Sequence, residues 1–359
     1  MAAPNNSWEH QASFDEEIAN PHGPKRRRLD PDNRNHLHDV ERTPSVRLAH
    51  EDYIVGWICA LPIELAAAEA MLDIKHESLP REANDGNTYT LGSIGSHNIV
   101  IACLPMNAYG TNNAATVAKD MDRTFPSIRI RLMVGIGGGV PTKTDIRLGD
   151  VVVSTSIIQH DMGKTIEEGK LLRTATARIP PHATMTAVSK LQAKPKETSR
   201  YLHRPSLRDW LFDSNYEHAV PMATCDQCDM SKLLGRNPRD NKYPKIHYGV
   251  IASSNQVMRH AKSRDRLAEE LGVLCFEMEA AGLIDSFPCL AIRGICDYAD
   301  SHKNKQWQEY AAATAAAYAK ELLQVMGPYE IRRSSTTPTS SITGMLHFVS
   351  YFWTELICS

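Results

Sequence analysis

Three carboxylates, Glu64, Glu279 and Asp297, each stand a few residues beyond a short apolar run. In open α/β sheets ligands bind at the carboxyl ends of the strands, so acids placed there can protonate a leaving group or take a proton from an attacking nucleophile. Each acid also has a plainer explanation. Glu64 suits the first turn of a helix, where it complements the dipole. Glu279 could be a surface helix residue, and Asp297 a turn or cap residue. Three acids at three strand ends bring the two explanations into balance.

The elements that must position these acids alternate between strand and helix. Ile54 to Leu61 is continuously apolar and short, as expected of a strand buried on both faces, and Pro62 then suits the first position of a helix over Glu64–Met71. Strands follow at Thr88–Leu91, Asn98–Leu104, Ile128–Val134 (running into Gly135–Gly139) and Leu148–Val153, with a helix over Asn112–Asp122. Between about 193 and 245 the periodicity fails, apart from a helix expected near Ser206–Phe212, and the segment reads as an insertion or lid-like excursion. Regularity returns with a strand at His247–Ser253, a helix over Arg264–Leu271 and a strand ending at Phe276. A helix starting near Glu279, a strand at Cys289–Gly294 and an Ala-rich helix over Gln306–Val325 complete the series. This alternation predicts a mostly parallel sheet covered by helices on both faces.

The flanks differ in character. Residues 1–48 are polar and aperiodic and are expected to be a disordered tail. They contain the basic run Lys25-Arg26-Arg27-Arg28, which is either a nuclear import signal or a solvated charge cluster. Residues 49–326 form the expected domain, and 327–359 a Ser/Thr/Pro linker with a short apolar tail. A net charge of −2 gives no bulk field to hold nucleic acid or an anionic membrane. No apolar stretch reaches the roughly 20 residues of a membrane span. Scattered cysteines within apolar runs suit a reducing compartment, and the expected location is the cytoplasm, with the basic run admitting the nucleus.

Four motifs in order resemble the purine nucleoside and uridine phosphorylase superfamily. They are Ala60-Leu61-Pro62-Ile63-Glu64, Gly149-Asp150-Val151-Val152-Val153, Phe276-Glu277-Met278-Glu279-Ala280-Ala281, and Arg293-x-x-x-Asp297 with Asp300. The nearest look is to its methylthioadenosine/S-adenosylhomocysteine nucleosidase branch, and within that to the domains found in fungal NOD-like receptor proteins. The resemblance covers about residues 52–326. It implies a three-layer α/β nucleoside-phosphorylase-like fold with a mostly parallel, mixed central sheet flanked by helices. It implies cleavage of the N-glycosidic bond of a purine nucleoside or nucleotide, without metal or cofactor, by a protein that self-associates. Asp297 would protonate the purine N7 and Glu64 would activate water. Glu279 would hold ribose hydroxyls with Met278 against the sugar, and Arg293 would join the substrate-binding set. Val257 and Met258 would pack on the base, although ordinary core packing explains them equally well.

Departures from the pattern refine the reaction. The superfamily's phosphorylases carry Arg-x-Gly-Ser/Thr at the phosphate site, whereas this chain has Met133-Val134-Gly135-Ile136. The glycine run, Gly137 included, retains backbone donors, but both phosphate-binding side chains are gone, which favours hydrolysis over phosphorolysis. A phosphorylase is one alternative; a ligand-sensing or effector module of an immune-type receptor is another. The glycine run lacks dinucleotide-fingerprint spacing. Cys225-x-x-Cys228, with His218 and His247 as candidate partners, suggests zinc, but without a second pair at standard spacing no metal site is expected.

Overall fold

The computed structural model describes residues 48–194, 204–218 and 224–329. The expected N-terminal tail with its basic run and nearly all of the expected C-terminal linker and tail lie outside them. The strands are β1 (Val55–Cys59), β2 (Ile74–Lys75), β3 (Tyr89–Ile94), β4 (His97–Cys103), β5 (Ile130–Gly139), β6 (Val151–Gln159), β7 (Gly163–Thr165), β8 (Leu171–Arg173), β9 (Ile246–Ser253), β10 (Val273–Glu277) and β11 (Leu290–Asp297). The helices are α1 (Pro62–Ala70), α2 (Thr111–Thr124), α3 (His182–Gln192), α4 (Ala261–Leu271), α5 (Ala280–Leu283) and α6 (Gln308–Val325).

Nine strands make one mixed sheet in the order β10-β9-β6-β11-β5-β1-β4-β3-β2. The pairs β1·β4, β1·β5, β5·β11, β6·β9 and β9·β10 are parallel, and β6·β11 is antiparallel. Cys275 and Phe276 of β10 also pair with Gly139 and Gly138 at the end of β5. That pairing closes β10-β9-β6-β11-β5 into a small barrel, so the ends of β5, β10 and β11 share one rim.

Two apolar layers hold the sheet. On one face Trp57, Ile99, Leu132, Val153 and Ile292 bury against the Ala-rich face of α6 and against α3. On the other, Ile58, Val100, Met133 and Phe287 pack on α2. Each fully buried side chain of this size removes about 1.5–3 kcal/mol worth of apolar surface from water, which is why the inner strands are predominantly hydrophobic. No helix among the described residues is long and apolar enough to cross a membrane.

One expectation needs correction. Ser206–Phe212 is not helical. Its peptide groups are drawn to tertiary partners instead: the Arg208 carbonyl accepts from the Trp307 indole (3.1 Å), the Leu211 carbonyl accepts from Leu234 N–H (2.8 Å), and Phe212 bridges to Leu233. The Asp209 carboxylate meanwhile binds Arg204, Arg236 and Tyr298. Conversely α3 and the β7–β8 hairpin were not anticipated. The hairpin is largely exposed and so carries no hydrophobic period; α3 buries Thr184, Ala187, Val188 and Leu191 at helical spacing, a pattern present in the sequence.

Candidate active site

Pro62 opens α1 directly after β1, and Glu64 in this first turn folds back on the chain. Its Oε2 accepts from the N–H groups of Ala60 (2.7 Å) and Leu61 (3.0 Å), and its Oε1 accepts from Ile136 N–H on β5 (2.8 Å). One buried carboxylate thus joins the β1–α1 turn to the glycine run. Burial raises its pKa, opposed by Arg293 and the three backbone donors, and the net direction is upward. A carboxylate in that condition accepts protons readily.

Arg293, in β11, has no accessible surface. Its Nη2 donates to Glu277 and lies 3.5 Å from Glu279 Oε2. Glu277 also accepts from the N–H groups of Glu279 and Ala280, fixing the β10–α5 turn. Gly135 leaves room for this cluster: a Cβ there would sit 2.4 Å from Glu64 Oε1 and 2.5 Å from Arg293 Nη1. Glu277 and Glu279 therefore share one guanidinium, whose charge also acts on Glu64. Burial drives the Glu279 pKa up to about 7, with Glu277 and Glu64 adding to the push and Arg293 opposing it. Arg293 Nε and Nη1 have no hydrogen-bond partner among the described residues.

Asp297 ends β11 at a bulge, register-paired with Gly138. It accepts from Ala299 N–H (2.8 Å) and the Cys296 thiol (3.2 Å), and Lys303 Nζ stands 3.2 Å away. Ala299 holds φ +53°, a left-handed conformation costing about 1–2 kcal/mol for a residue with a Cβ, which aims its N–H at the carboxylate. A Cβ on Gly138 would come within 2.8 Å of both Asp297 Oδ1 and Ala299 Cβ. Burial works against the Lys303 ammonium, but Asp297 and its neighbours more than offset it, so it remains charged at neutral pH.

The other expected residues divide. Met278 is half-buried in the β10–α5 turn. Met258 packs on the cluster of Val140, Phe276 and Ala299, beside the Asp297 loop, whereas Val257 is 52% exposed. Gly137 belongs elsewhere: it is register-paired with Ile295, and a Cβ on it would strike Cys275 Sγ at 2.5 Å. Its smallness serves strand packing, and Gly135 and Gly138 are the glycines that face the acids. Sequence reasoning also left Glu277 and Lys303 without roles. Glu277 could have been found from its i, i+2 relation to Glu279; nothing local marks Lys303. His247, the expected candidate partner of the cysteine pair, has its Nε2 2.9 Å from Asp150 Oδ2.

Acids gathered at the carboxyl ends of strands on a partly closed mixed sheet are the arrangement of an α/β enzyme class. Residues 54–326 match the family described as the phosphorylase superfamily, and the chain belongs to it. It is 49% identical over 313 residues to a nucleotide-binding leucine-rich repeat (NLR)-like protein of Hyaloscypha variabilis, covering 81% of this chain but only 31% of that one. It is 27% identical to a Mycobacterium bovis 5′-methylthioadenosine/S-adenosylhomocysteine nucleosidase, over 76% of this chain and 96% of the nucleosidase. Among solved structures, the Helicobacter pylori 5′-methylthioadenosine/S-adenosylhomocysteine nucleosidase superposes with a TM-score of 0.52 at 18% identity, over 76% of this chain and 98% of that one, and so shares the fold.

Proposed function

We propose that this chain hydrolyses the N-glycosidic bond of a purine nucleoside or nucleotide. The observation that carries the reading is the gathering of Glu64, Glu277 and Glu279 around Arg293, with Asp297 at the end of the same strand. Asp297 gives a proton to the purine N7 as the C1′–N9 bond breaks and regains one from solvent between turnovers, while the Lys303 ammonium, 3.2 Å away, holds its carboxylate in place. Glu64 takes a proton from water as its oxygen bonds to C1′, so the products are free base and the ribose moiety. Glu279 accepts hydrogen bonds from ribose hydroxyls. Arg293, wholly buried behind the acids, acts through Glu277 and Glu279 and is a positioning residue.

Water is favoured over phosphate on two counts. The site carries Glu64, Glu277, Glu279 and Asp297 against Arg293 and Lys303, an excess of acid that disfavours an oxyanion. In addition, Ile136 N–H, a backbone donor of the glycine run, is already taken by Glu64. The 49% identity to an NLR-like protein, of which this chain spans about a third, supports a second reading: the same site serves as the ligand-responsive module of a longer receptor.

Incubation with adenosine, inosine, guanosine, methylthioadenosine, ATP and uridine, with and without phosphate, followed by quantification of free base, separates these readings. Purine release without phosphate is the expected result. Strict dependence on phosphate overturns the hydrolytic proposal. Binding without release from any substrate leaves the receptor-module reading in its place.

A further inference from the structure

At the insertion, three side chains of one short stretch, His218, Cys225 and Cys228, converge with the distant His302. One ligand atom from each lies within 4.8 Å of all the others. Cys225 Sγ and Cys228 Sγ are 3.8 and 3.7 Å from His302 Nδ1. Ligand atoms on one tetrahedral zinc stand about 3.4–3.8 Å apart, given Zn–S near 2.3 Å and Zn–N near 2.0 Å. We propose that these four residues bind a structural zinc ion that clamps the insertion onto the loop following Asp297.

The surroundings of the ligands fit that use. His302 Nε2 lies 3.1 Å from the Tyr216 carbonyl, to which it donates, leaving the Nδ1 lone pair on the cysteine side. The imidazole is buried and stacked on Phe212, with ring centroids 4.1 Å apart, so its direction is fixed. His218 is held likewise, with Nε2 3.3 Å from the Thr224 carbonyl. Cys225 and Cys228 occupy one tight turn closed by Cys228 N–H to the Cys225 carbonyl (3.1 Å), which brings both sulfurs to one side. Two sulfurs and two imidazoles select zinc over calcium or magnesium, which want oxygen. On binding, both thiols lose their protons to solvent, and the two thiolates neutralise the dication.

Four protein ligands leave no open position, so the site holds structure and does no chemistry. What it would hold is specific. His218 N–H donates to Ser301 Oγ (2.9 Å) and His302 N–H to Asp300 Oδ1 (2.9 Å), while the next residue, Lys303, reaches Asp297. The sequence could not place the fourth ligand, because His302 is 74 residues beyond Cys228, and the nearer candidate His247 is committed to Asp150.

The test is metal analysis of the full chain, expressed with supplementary zinc and purified without chelator or an immobilised-metal column. One zinc per chain is expected, with an X-ray absorption spectrum fitting two sulfur and two nitrogen neighbours. The pair Cys225→Ser/Cys228→Ser and, separately, His302→Gln should weaken zinc binding roughly tenfold or more, while His247→Gln keeps the metal. Should the cysteine variants fail to fold, the wild-type spectrum and thiolate charge-transfer bands on Co²⁺ substitution decide alone. Folded wild type without stoichiometric metal, a metal with only nitrogen and oxygen neighbours, or a Cys225–Cys228 disulfide would each overturn the proposal.

Discussion

Two buried acidic centres in this molecule are built from similar parts and come out opposite. Asp150 is fully buried, yet it receives both Nη atoms of Arg239 (2.6 and 2.7 Å), His247 Nε2 (2.9 Å) and the N–H groups of Lys245 and Arg147. Burial alone would raise its pKa, but the hydrogen bonds from Arg239 and His247 prevail and hold it at about 2. At the rim of the small barrel the proportion is reversed, with Glu64, Glu277 and Glu279 dividing a single Arg293, and Glu279 rises to about 7. Burial is common to both; the ratio of donors to acids differs. An oversupplied carboxylate stays charged and inert as a joint, while an undersupplied one exchanges protons near neutrality, the condition acid–base chemistry needs.

Removing the cation from the undersupplied centre should have the largest effect. Arg293→Met leaves three buried acids unopposed and should cost about 3–5 kcal/mol, at the upper end, in urea denaturation; a loss under 1 kcal/mol would show the cluster does not depend on it. Asp150→Asn should lie near the lower end of that range, since Arg239 keeps Asp145 as a partner. The sign with pH follows from the depressed pKa. Asp150 contributes stability above its ordinary value of 3.8 and loses it as pH falls toward about 2, so the variant should lack that acid-side slope.

Next in size are Glu64→Gln and Asp297→Ala, each expected to slow base release by about two orders of magnitude. Near-normal turnover in either removes that residue from the mechanism. Glu279→Gln supplies the mirror of the Asp150 experiment. Folded Glu279 keeps its proton to about 7 while its ordinary value is 4.5, so wild-type stability falls as pH rises through that interval, and the variant should show a flatter profile in thermal melts. An unchanged slope would place the proton elsewhere in the cluster. Smallest is Val257→Ala: half-exposed, it should alter KM tenfold or less with kcat preserved, as one apolar contact does.

Much of this was legible in the chain itself. The mostly apolar runs at 54–61, 98–104, 247–253 and 289–294 became β1, β4, β9 and β11 because inner strands are covered on both faces for much of their length, and Arg293 interrupts the last of them only where the acids meet it. The acids at 64, 279 and 297 were visible as residues just past such runs. The helix expected at 206–212 failed because its peptide groups and Asp209 found partners far along the chain, which no local period records.

The sequence by itself determined the alternation of strand and helix, the glycine run and the acids at the strand ends, since these depend on side-chain type and near-neighbour spacing. Only the tertiary structure decided that β10 closes onto β5, that Arg293 lies behind three glutamates, that Gly135 and Gly138 rather than Gly137 face them, and that His302 meets Cys225 and Cys228. Those outcomes turn on contacts between residues tens to hundreds of positions apart, which no near-neighbour spacing records.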